Sequence, residues 1–332
     1  MTVYFVSKRG NDNNPGGELE PFETIVKGIS VLYPGDTVFI RNGVYSETLE
    51  EFPSGVSWNN AINISTYPGD VVTLKPSGIR NVLRFEECSY VDISNLVLDG
   101  VNISEHVVHI TNGAHHIRLQ DTEVKNGFHH SGICVDNDGL VNSDFNEFIR
   151  LKVHDNGSDT HDHGMYISTA YNLFDSCDVY NNYAHGINLY QDFDGVQPYD
   201  LVNHNIVRYC RVHSNNAGEE GVGTGILLSC GIYNIAHHNL VWDNDRGIQM
   251  AYGSDGQVYS NTIYSNDDYG IRVSNNFTDG IVDKNISFDN GVSDYLDQGT
   301  DTVDVNNLIG VNLDYFDEGF IDFHLLGASG YK

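Results

Sequence analysis

The chain has 332 residues, with 17 Lys+Arg against 46 Asp+Glu and a formal net charge of −29. This imbalance excludes an electrostatic partnership with nucleic acid or an anionic membrane, and no apolar run reaches the roughly 18 residues of a membrane span. At 40% hydrophobic, with 20 Tyr and 15 Phe, the chain can fill a large core, while 36 Asn, 32 Asp and 34 Gly against 7 Pro point to many short strands joined by tight turns.

In chain order, VYFV (Val3–Val6) reads as a strand, Phe22 to Leu32 as an amphipathic helix, and PGDT (Pro34–Thr37) as a turn into a second strand. The opening MTVYFV lacks the basic start and apolar stretch of a signal peptide. From Gly132 onward a Gly-apolar-x-apolar strand opens at Gly132, Gly164, Gly186, Gly225, Gly247 and Gly270, at steps of 32, 22, 39, 22 and 23 residues. A second register runs Gly100, Asn126, Asn156, Asn182, Asn215, Asn244, Asn266, Asn290 and Asn312; a third, five residues earlier, runs Asn95, Asp121, Leu151, Cys177, Cys210, Asn239, Asn261, Asn285 and Asn307. Two Asn-rich columns at constant offset predict equivalent turns stacked along an axis, each amide bonding to the next coil. Between them, Leu98, Val124, His154, Tyr180, His213, Trp242, Tyr264 and Phe288 predict a column of mostly large side chains. A period of 22 residues with about three short strands per turn is a parallel β-helix, an all-β solenoid. Residues 1–34 are expected to form an N-terminal cap, 35–312 the coils and 313–332 a C-terminal cap segment.

The cap sequence followed by these Gly-Ile repeats resembles the right-handed parallel β-helix superfamily of carbohydrate-active proteins, pectate lyase-like proteins and family-9 lyases among them. FIDFHLLGAS (Phe320–Ser329) is similar to the closing segment of many such proteins. The resemblance covers nearly the whole chain. It implies a glycan partner and an extracellular or virion-surface location.

Residues in excess of the minimal coil must emerge as loops, and three do so at one corner: GFHHS after Asn126, GSDTHDH after Asn156 and NAGEEGVGT after Asn215. A fourth insertion, Gln191 to Leu201, leaves the other end of the Gly-Ile strand. The short turn ending at His185 lies between the two longest loops, so a cleft is expected there. Stacking places His163 next to His185, with Arg246 two coils further on. Alternation sends Ile133, Met165, Ile187, Ile226, Ile248 and Ile271 inward, and Cys134, Tyr166, Asn188, Leu227, Gln249 and Arg272 outward.

His, Tyr and Arg gathered on one face of an acidic chain suit uronate chemistry, in which a base removes the C5 proton and a cation neutralises the adjacent carboxylate. Elimination then makes the protein a polysaccharide lyase, and reprotonation from the opposite face a C5-epimerase. His163 and His185 are the acid/base candidates and Arg246 the neutraliser. His130, His161, Asp162, Tyr166, Asn188, Tyr190, Gln249, Tyr269 and Arg272 are the substrate-binding candidates. Asp159, His161, Asp162 and His163 in DTHDHGMYI resemble the DPHD…HGL motif of alginate C5-epimerases, with Thr160 in place of the proline and two residues missing before the last His. An anionic polysaccharide is the expected partner. The coil before His163 carries His130-Ser131 where polygalacturonase-like hydrolases carry an Asp pair, which argues against hydrolysis. No Lys lies on the expected strand face, so the lysine-base mechanism of family-9 lyases is not transferred.

The alternatives remain open. The histidines can be hydrogen-bonded turn residues, Arg246 can pair with Asp245 or Asp268, and the protein can be a non-catalytic glycan-binding or structural β-helix, such as a surface or phage tail component. No cofactor is required by this reading; Asp136/Asp138 and Asp192/Asp194 are candidate Ca²⁺ ligands, with solvated carboxylates the default. The five cysteines show no CxxC spacing, so metal ligation by them is not expected. Cys177 and Cys210 fall on neighbouring coils at a separation that permits a disulfide, although a buried thiol stack is the favoured expectation.

Overall fold

Each coil turns its corners through single residues in the left-handed backbone region. Between the first and second strands of successive coils these are Asp121, Arg150, Ser176, Tyr209, His238, Ser260 and Lys284, with φ between 50° and 59°. One such residue redirects the chain without a loop, which is why strands of three to six residues can follow one another almost directly. The computed structural model describes residues 1–78, 80–136, 141–191, 201–216 and 223–310.

Among the described residues the strands form three long parallel sheets. The first has 12 strands, from Val3–Val6 to Val303–Val305; the second has 11, from Gly43–Tyr45 to Leu308–Ile309; the third has 9, from Leu83–Glu86 to Ser293–Asp297. Each strand pairs with its equivalents on the neighbouring coils, so the protein is an all-β parallel solenoid with one continuous interior. Ile133, Met165, Ile187, Ile226, Ile248 and Ile271 are in register and fully buried, as the alternation requires. No described helix is long and apolar enough to cross a membrane.

Asparagine ladders run along the corners. Nδ2 of Asn156 donates to Oδ1 of Asn182 at 3.0 Å, and the chain of amides continues through Asn215, Asn244, Asn266 and Asn290. A second ladder links Asn239, Asn261, Asn285 and Asn307. A third, Asn146, Asn172, Asn205 and Asn234, is not among the columns read from sequence. Each amide also accepts a backbone N–H from the preceding coil, so the ladders satisfy buried main-chain donors at corners where the sheet cannot.

In the early coils the sequence register is off by one residue. Gly127, not Asn126, donates its N–H to Asn156, and Thr122, not Asp121, stands opposite Leu96 and Leu151. Asn126 and Asp121 are the left-handed residues next to those positions, where Asn and Asp are also favoured. The aromatic column is present outside the second sheet from His154 to Phe288, with ring centroids 4.1 to 6.0 Å apart. Leu98 and Val124 do not belong to it: by the same one-residue offset Leu98 pairs with Val124 and Val124 with Val153, and both are fully buried inside.

The repeated glycines are explained by the ladder. A Cβ on Gly132, Gly164, Gly186, Gly225, Gly247 or Gly270 would lie 2.6 to 3.1 Å from Nδ2 of the amide facing it, Asn156, Asn182, Asn215, Asn244, Asn266 or Asn290. One coil earlier the sizes are exchanged: Val107 occupies the glycine position and packs against Gly100 and Gly127.

Near the N-terminus the helix is shorter than Phe22–Leu32. It spans Ile25–Ser30, begins at Thr24, whose side chain accepts from the Lys27 N–H, and buries Ile25, Gly28 and Ile29. The strand Val3–Val6 pairs in parallel with Thr37–Ile40 and so extends the first sheet. All five cysteines are buried free thiols. Residues 313–332 lie outside the described residues.

Candidate functional site

The outward face of the third sheet carries parallel columns set by strand register. One runs His106, Ser131, His163, His185, Thr224 and Arg246; the next runs His109, Cys134, Tyr166, Asn188, Leu227, Gln249 and Arg272. The loop Gly157–His163 rises beside them. It is braced by its own carboxylates: Asp162 Oδ2 accepts the N–H groups of Ser158 and Asp159 at 2.8 and 3.2 Å, and Asp159 Oδ1 accepts the His161 N–H at 2.8 Å. Burial raises the Asp162 pKa. The bracing presents Thr160 and His161 to a cleft of about 560 Å³.

Of the sequence-derived site residues, His161, His163, Tyr166, His185, Asn188 and Tyr190 line this cleft. His130 is not among the lining residues; its Nδ1 is 3.9 Å from Asp162 Oδ1 and its ring is 5.0 Å from that of His106. Arg246, Gln249, Tyr269 and Arg272 lie further along the same face. Arg246 Nε is 3.5 Å from Asp268 Oδ2, Gln249 donates to Ser274 Oγ at 3.1 Å, and the Arg272 guanidinium lies over the Tyr269 ring at 5.4 Å. The described cleft lining contains neither arginine, so the cation assigned to a substrate carboxylate is not placed in the cleft itself.

The two histidines form a side-chain ladder with the main chain. Ser131 Oγ accepts the His163 N–H at 3.1 Å, His163 Nδ1 accepts the His185 N–H at 3.3 Å, and His185 Nδ1 accepts the Thr224 N–H at 3.0 Å. The rings stack with centroids 4.8 Å apart. Because each Nδ1 is an acceptor, a neutral ring carries its proton on Nε2. His163 Nε2 is 3.0 Å from the amide of Asn188, whose Oδ1 is otherwise buried without a partner. A half-turn of that amide places Oδ1 on the Nε2 proton and satisfies both groups. Burial pushes the His163 pKa well below its ordinary value, helped by the His185 charge; burial and the Arg246 guanidinium bring His185 to about 4. Both rings are therefore neutral at pH 7, and His185 presents an N–H donor rather than a basic nitrogen.

The cleft also contains residues that the repeat search did not reach. His106 belongs to the histidine column, but its coil has Val107 where the others have glycine, which removed the signal. His109 pairs across the strands with Cys134, and its Nε2 is 2.9 Å from Asp136 Oδ2. Arg84 donates to His109 Nδ1 at 2.8 Å and binds Glu86 at 2.6 and 2.9 Å. Burial would raise the Asp136 pKa, but hydrogen bonds led by His109 hold it below the ordinary value. A Ca²⁺ ion takes six to eight oxygen ligands. The metal-type grouping among the described residues is instead His109, Cys134 and Asp136, a mixed nitrogen, sulfur and oxygen set that does not suit Ca²⁺. Asp138, Asp192 and Asp194 lie outside the described residues.

Comparison with known proteins places this geometry in a family. The sequence profile described as "Pel9A-like, right handed beta helix region" matches residues 4–218, and that described as "Right handed beta helix region" matches 131–309. The uncharacterized protein YwoF of Bacillus subtilis (strain 168) is 25% identical over 132 residues; the match covers 36% of this chain and only 28% of that relative. Among solved structures, pectate lyase Pel9A is similar at TM-score 0.59 and 14% identity, covering 89% of this chain and 78% of its own. The A-module of the Azotobacter vinelandii mannuronan C-5 epimerase AlgE4 is similar at TM-score 0.60 and 17% identity, covering 82% and 79%. ORF18 of Geobacillus virus E2 is similar at TM-score 0.62 and 17% identity, covering 81% and 52%. These likenesses extend over the fold, and the profile match spans well over half of the sequence. The chain belongs to the Pel9A-like family of right-handed β-helix proteins.

Proposed function

We propose that the cleft between the braced loop and the third sheet binds a uronic acid-containing glycan and removes its C5 proton, acting as a polysaccharide lyase or C5-epimerase. The observation that carries this reading is the donor set. Two neutral imidazoles with fixed tautomers, His163 buried and His185 half-buried, stand beside the phenols of Tyr166 and Tyr190 in one cleft. The C5 proton is acidified by the adjacent carboxylate, and removing it builds negative charge on the carboxylate oxygens. The Nε2–H of His185 is a preorganised donor for that charge, in the way that a neutral histidine acts as an electrophile. A ring whose Nδ1 is occupied and whose Nε2 is protonated does not accept the C5 proton. That step falls to Tyr166 or Tyr190 acting as its phenolate, which becomes a phenol on taking up the proton. In elimination the C5–H electrons form the C4–C5 double bond and the C4–O4 bond breaks, with a phenol protonating the departing O4; in epimerisation C5 is reprotonated from the other face. Arg246 acts at longer range through its charge.

The test is incubation with alginate, pectate and glycosaminoglycans, following the ultraviolet absorbance of a newly unsaturated uronate and, in deuterated solvent, exchange at C5. A signal in either supports the proposal, and silence in both on every glycan removes it. Engagement of both histidines in ladder hydrogen bonds favours a second reading, a glycan-binding β-helix without turnover. Saturable glycan binding with neither signal supports that alternative.

A further inference from the structure

The cysteines were not expected to ligate metal, because their spacing carries no metal signature, yet the solenoid brings one of them beside a His and an Asp from neighbouring positions of the third sheet. His109 and Cys134 are direct cross-strand partners, and Asp136 follows two residues after Cys134 on the same strand end. A ring nitrogen of His109, a carboxylate oxygen of Asp136 and the Cys134 Sγ all lie within 4.8 Å of one another. The Nε2–Oδ2 distance is 2.9 Å and the Sγ–Oδ2 distance 3.6 Å. Tetrahedral bonds of about 2.0 to 2.3 Å set donor atoms roughly 3.3 to 3.8 Å apart, so small rotations bring the three into a coordination sphere.

We propose that His109, Cys134 and Asp136 form a binding site for a borderline divalent transition-metal ion of the Zn²⁺ type, opening into the cleft. Three further observations favour it. Cys134 and Asp136 both line the cleft, which leaves a fourth position open toward that space. Asp136 Oδ1 is buried and accepts no hydrogen bond. The donor set of imidazole, thiolate and carboxylate suits a borderline ion and not Ca²⁺. Arg84 holds His109 Nδ1 as an acceptor, so the ring proton lies on Nε2, facing Asp136. Binding moves that proton to Nδ1 as Arg84 turns wholly to Glu86, its existing partner, and releases the thiol proton of Cys134 to solvent. Charge then balances, with one thiolate and one carboxylate on a divalent ion.

This site does not depend on the lyase or epimerase reading, and its test needs no glycan. Chelator-stripped protein is titrated with Co²⁺. The expected result is one equivalent bound, with visible d–d bands and a near-ultraviolet thiolate-to-cobalt band, displaced by Zn²⁺ and accompanied by a rise in Tm. C134S should abolish the thiolate band, D136N should weaken binding by about tenfold or more, and C230S should leave both unchanged. If C134S does not fold, as judged by circular dichroism, H109Q and D136N carry the same test. No thiolate band, a band that survives C134S, or a Tm response to Ca²⁺ alone would each overturn the proposal.

Discussion

The backbone N–H of His185 donates to Nδ1 of His163 across one coil at 3.3 Å, beneath rings stacked 4.8 Å apart. From the sequence alone, replacing either residue with Ala is expected to abolish turnover at little cost in stability. The hydrogen bond changes the second half of that expectation, because His163→Ala leaves a main-chain donor without its acceptor. The cost should be about 1–3 kcal/mol, seen as a lower denaturation midpoint. His163→Ser offers an oxygen of the kind that Ser131 offers to His163 one coil earlier, and should recover part of the stability without restoring turnover. Full activity in His163→Ser would show that the ring has no part in the chemistry.

The pH dependence of stability follows from the same residues. The His185 pKa is brought to about 4 by burial, aided by Arg246, against 6.5 for the free group. Between those values the unfolded chain takes up a proton that the folded chain does not, so stability falls as pH drops from about 6.5 to about 4 and is unaffected above that window. The whole shift corresponds to about 3 kcal/mol, and His163 acts in the same direction. Denaturation midpoints measured across this range should slope downward toward acid, less steeply in His185→Gln.

Arg246→Gln removes a positive charge that disfavours His185 protonation. The His185 resonance, followed by NMR titration, should move to a higher pKa while remaining below the ordinary value, because burial is the larger cause. An unchanged titration would mean that the Asp268 carboxylate already neutralises the guanidinium at its 3.5 Å separation.

A Cβ on Gly164 would meet Nδ2 of Asn182 at 2.7 Å and the Gly186 carbonyl oxygen at 2.7 Å. One neighbour is backbone and the other is held in a ladder, so neither yields easily. Gly164→Ala should destabilise the protein by about 1–3 kcal/mol. Pairing it with Asn182→Ala should give less than the sum of the two single costs, since the same contact is removed twice. Additivity in that double-mutant cycle would separate the glycine and asparagine columns.

Asn215 accepts from the N–H and Nδ2 of Asn182 at 3.2 and 2.9 Å and donates to Asn244 Oδ1 at 3.0 Å. Asn215→Leu has similar bulk and no hydrogen-bonding groups, and should cost about 2–4 kcal/mol, because several buried groups lose partners together. Chemical denaturation provides the measurement, and a change below about 1 kcal/mol would mean that water or a neighbouring group replaces the amide.

The parallel β-helix, the inward row from Ile133 to Ile271 and the outward row from Cys134 to Arg272 were all legible in the order of the amino acids. Alternation along a strand and the Asn and Gly requirements of tight turns are local properties, repeated often enough to fix the period. The juxtaposition of His163 and His185 was legible for the same reason, since both precede a repeated glycine. The register of the early coils was not, because Asn and Asp suit both the ladder position and the left-handed residue beside it, so Asn126 and Asp121 mimic the column they adjoin. His106 escaped notice because Val107 and Gly127 exchange the sizes of the usual glycine and asparagine pair, a compensation visible only across coils. Tertiary structure alone decided that both imidazoles accept main-chain N–H bonds, that Arg246 lies beyond the cleft, and that His109, Cys134 and Asp136 converge. Those outcomes depend on side-chain directions and on distances between coils that are 22 to 39 residues apart in sequence, where no local pattern specifies which polar atom meets which.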